Sequence, residues 1–321
     1  MLNKTITKFF IFVILATLVS ICTAACHNNA AGGDEPPSFD RAKSLYDDPQ
    51  IVGKIESNEI KESSGIAASK CQEDVIWTHN DSGDGPFIYA LNSKGKHLGT
   101  WQVEDAGNFD WEDMASSKDN FGRCYLYIGE IGNTKDNERT EHKIYRVAEP
   151  SMADSDSNST SKNARQTASA DVLTFSYPDS RQDAETLMVH PQTEDIYVLT
   201  KHRNKPSGIY KIKHVFNLPP TAIAEKIADI TVPAVPNGLL TGGEISSSGN
   251  RVILCDYFAG YELVLPDGAG NFDDIWKQKA SVIELGERKQ GEAIGYSNDG
   301  LSILATSEGK NSPLIEVKKR K

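Results

Sequence analysis

Apolar and polar residues alternate along this chain in short runs, and no stretch sustains the 3.6-residue spacing of a long amphipathic helix. The runs are rich in Val, Ile, Leu, Tyr and Thr and are separated by Gly, Asn, Asp, Ser and Pro. That pattern predicts short β-strands joined by tight turns. The strands come in sets. A phrase recurs as KESSGIAAS at 61–69, FDWEDMASS at 109–117, QDAETLMVH at 182–190, TGGEISSSG at 241–249 and KQGEAIGYS at 289–297. Each copy is followed by a second run (DVIWTHNDSG, CYLYIGEIGN, DIYVLTKHRN, RVILCDYFAG, LSILATSEGK) and then by a third, such as FIYAL or GIYKIK. A fourth run precedes the next phrase, as in HLGTWQV or KIADITV.

Four strands per repeat of roughly 40–50 residues predict an all-β chain folded as a β-propeller. The five phrases predict five four-stranded blades, with six blades still open where the longer spacings hide a weak one. The last repeat lacks a fourth strand, and IVGKIES at 51–57 can supply it, closing the ring with an N-terminal strand. A β-sandwich is the competing arrangement, and phrases that align in chain order argue against it. The propeller domain is expected over 49–321, interrupted at about 148–170 by a Ser/Asn/Ala-rich segment that reads as a disordered insertion.

Aligning the phrases puts Ser64, Glu112, Glu185, Glu244 and Glu292 in one column, at spacings of 48, 73, 59 and 48. Two positions earlier stand Glu62, Asp110, Asp183, Gly242 and Gln290. Residues two apart on a strand face the same way. The first strand of a blade lines the channel, so this alignment gathers acids around one mouth. The second strands return to that mouth and end on Asp81, Glu130, Lys201, Asp256 and Glu308. Carboxylates that close repel one another, so their pKa values rise or a cation settles among them. Oxygen donors without a Cys/His cluster favour a hard cation, Ca²⁺ first and Mg²⁺ or Mn²⁺ next. The expected ligand set is drawn from Glu62, Asp110, Glu112, Asp183, Glu185, Glu244 and Glu292. In the alternative reading these acids bond backbone N–H groups and hold no metal.

The first 25 residues read as an export signal: Lys4 and Lys8, then an apolar run from Phe9 to Ile21, then small residues. The segment ends Thr23-Ala24-Ala25-Cys26, which resembles a bacterial lipobox with Thr23 in place of the usual Leu. Cys26 is therefore the expected lipidation site, residues 26–48 a flexible tether, and the cell envelope, facing the periplasm or exterior, the expected location. The alternative is ordinary cleavage with Cys26 incidental. Removing residues 1–25 leaves 32 basic and 45 acidic side chains, a net charge of −13. So acidic a balance argues against a nucleic-acid binder, which normally needs a basic face. The expected partners are a membrane through the lipid anchor and a small-molecule substrate or an envelope protein or glycan, and the expected state is a monomer. Cys71 and Cys124 stand at related places in neighbouring repeats and are the candidate disulfide in an oxidising compartment, with unpaired thiols as the alternative.

The strings ESSGIA, WTHNDSGDG, DWEDMA, YIGEIGN, DAETLMVHP and QGEAI resemble a widespread family of exported bacterial proteins with phrases close to E-x-S-G-I-A, H-N-D-S-G, D-W-E-D-I-A and G-D-I-G-D-N. The resemblance covers about residues 58–310 and departs at Glu130 and Thr134, where the family phrase has Asp and Asn. More distantly, the layout is similar to calcium-dependent propeller hydrolases, the phytase-like esterases and the gluconolactonase group. That similarity implies metal-assisted hydrolysis of an ester, phosphoester or lactone. On this reading Asp81 or Asp256 is the expected general base, and Lys201 or His79 steadies an anionic substrate or developing negative charge. The other reading is a non-catalytic propeller that captures an envelope protein or glycan. Carboxylate-pair cleavage of glycans is a third.

Overall fold

The computed structural model describes residues 39–320 apart from 43, 134–138, 204, 214–215, 218–220 and 233–238. The expected signal, Cys26 and Thr134 lie outside the described residues, as does most of the expected tether. Among the described residues no helix is long and apolar enough to cross a membrane.

Five small sheets form a five-bladed β-propeller. Blade one is built from Ser63–Ala68, Ile76–Asn80, Phe87–Leu91 and His97–Glu104. Blade two takes Trp111–Lys118, Cys124–Glu130, His142–Ala148 and Asp171–Ser176. Blade three takes Ala184–Val189, Ile196–Thr200, Ser207–Ile212 and Glu225–Ile230. Blade four takes Gly242–Ile245, Arg251–Cys255, Ala259–Val264 and Ser281–Glu284. Blade five takes Ile294–Tyr296, Ser302–Ala305 and Pro313–Lys318, and its outer strand is Gln50–Lys54 from the other end of the chain. Gln50 pairs Glu316 and Lys54 pairs Pro313, so both ends of the domain share one sheet. The core is packed between adjacent blades by buried aromatics, among them Trp77, Trp111, Tyr127 and Tyr197. Trp77 and Trp111 are thus packing residues.

Two expectations are corrected by the structure. The insertion after blade two's third strand is ordered, and Arg165–Ser169 adds a fifth, parallel strand to the outer edge of blade one, with Trp101 opposite Arg165. Its polar composition does not prevent order, because its side chains bond directly to blade one. Ser159 Oγ accepts the Thr100 N–H at 2.8 Å, and Ser161 Oγ donates to Glu59 at 2.8 Å. The exposed edge strand supplies the rest of the template. The last residues of the expected tether are also part of the fold. Tyr46 is buried, bridges to Lys319, and donates its hydroxyl to Glu262 at 2.7 Å.

Candidate metal centre at the acidic mouth

In every blade the start of the first strand meets the end of the second. Asp81 N–H bonds the Glu62 carbonyl, Trp111 pairs Glu130, and Lys201 N–H bonds the Asp183 carbonyl. Thr241 N–H bonds the Cys255 carbonyl, and Glu308 N–H bonds the Gln290 carbonyl. These junctions ring one mouth of the channel.

Asp81, Asp110 and Glu112 come together there, with one carboxylate oxygen from each lying within 4.8 Å of the other two. Asp110 and Glu112 are buried and Asp81 is half-buried. Burial pushes the Asp81 carboxyl up to about 7, with the charges of Asp110, Glu292 and Glu62 adding to it and the Ser82 N–H opposing it. Glu112 is raised well above the usual carboxylate range by burial first and then by Glu185, Asp81, Asp110 and Asp183. Gly132 backs the cluster. A Cβ at that position would stand 2.2 Å from Glu112 Oε1 and 2.6 Å from Asp110 Cγ, so only glycine leaves the two carboxylates where they are.

The remaining acids differ in use. Glu185 receives both bonds from Lys201 Nζ, the closer pair at 2.5 and 2.6 Å. Burial pulls the Lys201 pKa down, but Glu185 and Tyr257 outweigh it and hold the ammonium charged. Asp183 accepts the Asn133 N–H at 2.8 Å. Glu292 and Glu308 form a carboxyl pair on the blade-five side. Burial, the hydrogen bond to Glu292 and its charge push Glu308 up to about 8. Glu62 is exposed at the rim, and its charge reaches Asp81 and Glu308.

Glu244 does not join the cluster. In blade three Ala184 pairs Thr200 and Thr186 pairs Leu199, which leaves Glu185 in a bulge; Ser64 in blade one and Glu112 with Asp113 in blade two occupy the corresponding breaks. Blade four has no break, and Glu244 pairs Ile253 within a regular ladder. Its carboxylate bonds Lys70 Nζ at 2.9 Å and the Tyr296 N–H.

Two expected catalytic residues are structural. Asp256 is fully buried and accepts the N–H groups of Phe258 and Ala259 at 2.8 Å and the Tyr261 hydroxyl at 2.6 Å. With its oxygens so occupied it is no base for water. Asp84 and Asp179 take third-strand tyrosine hydroxyls, Tyr89 and Tyr210, in the same manner. His79 is fully buried, edge-on to Trp111 at 5.5 Å, with Nδ1 at 2.8 Å from the Asn80 carbonyl. Burial pushes its pKa down to about 4, so it is a neutral core residue beyond reach of a substrate. Glu130 is an anchor: it accepts the N–H groups of Phe109 and Asp110 at 3.0 and 2.9 Å and pairs with Arg139.

Sequence reading missed Asp113. It is fully buried beneath the mouth, and its carboxylate accepts N–H bonds from Leu187 of blade three and Gly243 of blade four. The signal was one column away: the residues after the aligned acids are Gly65, Asp113, Thr186, Ile245 and Ala293, and Asp113 is the one charge among them.

Fold and site define a five-bladed propeller with an oxygen-donor cluster at one mouth. Comparison with known protein families matches no family model, and comparison with curated proteins finds no similar chain.

Proposed function

We propose that the protein binds one divalent cation at Asp81, Asp110 and Glu112 and hydrolyses an ester, phosphoester or lactone beside it. The observation that carries the proposal is the convergence of these three carboxylates from two blades within 4.8 Å, with no side chain at Gly132 to separate them. The donor set is all oxygen, which suits Ca²⁺ ahead of Mg²⁺ or Mn²⁺. Such an ion polarises a carbonyl or phosphoryl oxygen and lowers the pKa of water. The chain's own contribution is proton handling and charge. Glu308, whose carboxyl burial and Glu292 push up, is the candidate proton donor to a leaving oxygen. Lys201 offsets the charge of Glu185 and keeps that carboxylate from crowding the cluster further. The proposal has the domain held at the envelope by a lipid on Cys26.

A second reading rests on Phe109, a residue 69% exposed immediately before Asp110 in the chain. A rigid mouth with an exposed aromatic also suits capture of an envelope protein or glycan, and any cation would then be structural.

The test begins with melting temperature in Ca²⁺, Mg²⁺, Mn²⁺ or EDTA. A ligand at 100 times its Kd adds about 2.7 kcal/mol, a rise of several degrees. Asp110→Asn and Glu112→Gln should abolish the rise. No shift with any cation, and no metal in the untreated protein, would remove the metal-hydrolase reading. A shift without cation-dependent turnover of ester, phosphoester or lactone substrates would favour capture.

A further inference from the structure

At the opposite end of the first strands, Cys71 of blade one and Cys124 of blade two are joined by a disulfide. A Glu149 carboxylate oxygen and the two sulfurs all lie within 4.8 Å of one another. Glu149 Oε1 accepts the Trp77 Nε1–H at 2.8 Å and the Gln72 Nε2–H at 2.9 Å. Glu149 Oε2 is buried and has no hydrogen-bond partner among the described residues. A buried carboxylate oxygen without a donor is costly and calls for an explanation.

We propose that, once this disulfide is reduced, Cys71, Cys124 and Glu149 bind one thiophilic divalent cation, Zn²⁺ foremost, so that the pair is a redox-gated metal site. The three backbones are held together without the S–S bond. Glu149 N–H donates to the Cys124 carbonyl at 2.9 Å. Gln72, next to Cys71, accepts the Met152 N–H at 2.7 Å and donates to the Pro150 carbonyl at 3.0 Å. Ser69 Oγ pins the turn by accepting the Cys71 and Gln72 N–H groups at 3.1 and 2.8 Å. Reduction therefore frees two sulfurs without scattering the ligand set. Cys71 is exposed, so a reductant can reach it.

The chemistry balances with an external dithiol as reductant. It supplies two electrons and two protons, the Cys71–Cys124 bond breaks, two thiols form, and the dithiol closes to its own disulfide. Zn²⁺ then displaces both thiol protons to water and takes two thiolates and one carboxylate, leaving a fourth position for water. Two sulfurs and one oxygen select Zn²⁺ over Ca²⁺ or Mg²⁺. The mouth has oxygen donors alone, so the two sites are chemically separate, and this inference does not rest on the proposed function.

The test uses the full-length chain, reduced with a phosphine, freed of it anaerobically, and titrated with Co²⁺ and then Zn²⁺ in saturating Ca²⁺. The reduced protein should show thiolate-to-cobalt charge-transfer absorption that saturates at one ion per chain and is bleached by Zn²⁺; the oxidised protein should show none. Glu149→Gln keeps an acceptor for Trp77 and Gln72 and should weaken Zn²⁺ by about tenfold or more. Absence of the band in reduced protein overturns the site. So does loss of native circular dichroism on reduction, because the ligands must be held without the S–S bond. An unchanged Zn²⁺ affinity in Glu149→Gln overturns the three-ligand assignment.

Discussion

The carboxylate of Asp113 accepts the backbone N–H of Leu187 at 2.9 Å. The same carboxylate takes the Gly243 N–H at 3.2 Å, so one side chain from blade two ties blades three and four across the channel. Burial holds its pKa well above the usual carboxylate range, against the pull of the N–H groups of Leu187, Met114 and Gly243.

Asp113→Ala should therefore be among the most damaging single substitutions in the chain. It strands two buried N–H groups on neighbouring blades, at a cost of about 2–4 kcal/mol. Asp113→Asn, with its amide oxygen in the place of Oδ2, keeps the acceptor for both Leu187 and Gly243 and strands only the Met114 N–H, so it should lose less than half as much. Denaturant titration of both variants decides this. Equal stability of Ala and Asn would mean that the bridging bonds contribute nothing beyond packing.

Gly132→Ala should separate cation binding from folding. The added methyl meets the side chains of Glu112 and Asp110 rather than backbone, so the clash falls on the two carboxylates themselves. The expected result is a melting temperature within a few degrees of wild type in EDTA and loss of the Ca²⁺-induced rise. Calorimetric titration showing wild-type Ca²⁺ affinity would remove Asp110 and Glu112 from the ligand set.

Lys201→Met should move affinity the other way. Its ammonium neutralises Glu185, the first neighbouring charge to act on Glu112 after burial. Removing it leaves Glu185, whose carboxyl burial pushes up to about 8 even with the ammonium present, without its cation beside the cluster. Ca²⁺ binding should tighten by about tenfold or more, while the cation-free protein melts lower. Weaker Ca²⁺ binding with stability intact would show instead that Lys201 orders the ligands.

Much of this was legible in the sequence because repetition was. Five phrases pointed to five blades with six still open, the structure has five, and IVGKIES was recognisable as the strand that blade five lacked. The gathering of acids at one mouth followed from the two-residue period of a strand. The errors came where that period breaks. A bulge adds one residue and turns the following side chains to the other face. Blade two carries such a break at Glu112 and Asp113, which sends one acid into the mouth and the next across the channel. Blade four carries none, so Glu244, aligned with the others by letter, leads to Lys70 instead. Asp256 shows a different limit. Its role is set by a tyrosine hydroxyl and two loop N–H groups, which repeat spacing does not reveal. The insertion was misjudged because composition counts apolar residues, whereas its order comes from polar side chains bonded to blade one.

The crowded mouth should also leave a pH signature. Asp81 and Glu308 titrate in the folded protein near 7 and 8, both raised. Unfolded carboxylates titrate near 4, so between about pH 4 and 8 the folded state holds more protons than the unfolded state. Without a cation these groups make stability fall as pH rises through that range. Two buried histidines act oppositely. His79 and His142 are lowered to about 4, burial being the first cause, and Arg139 adds to the effect at His142. The unfolded chain protonates them below about 6.5, so they make stability rise from pH 4 to 6.5. The opposing slopes overlap below 6.5, and the carboxylates act alone from there to about 8. In EDTA the melting temperature should therefore fall from pH 6.5 to 8, and Glu308→Gln should flatten part of that fall. In saturating Ca²⁺ the fall should shrink or reverse, because the cation takes over the charge that protons neutralise. A melting temperature that climbs with pH across this window in EDTA would mean that the acids at the mouth are ionised and already satisfied by the protein itself.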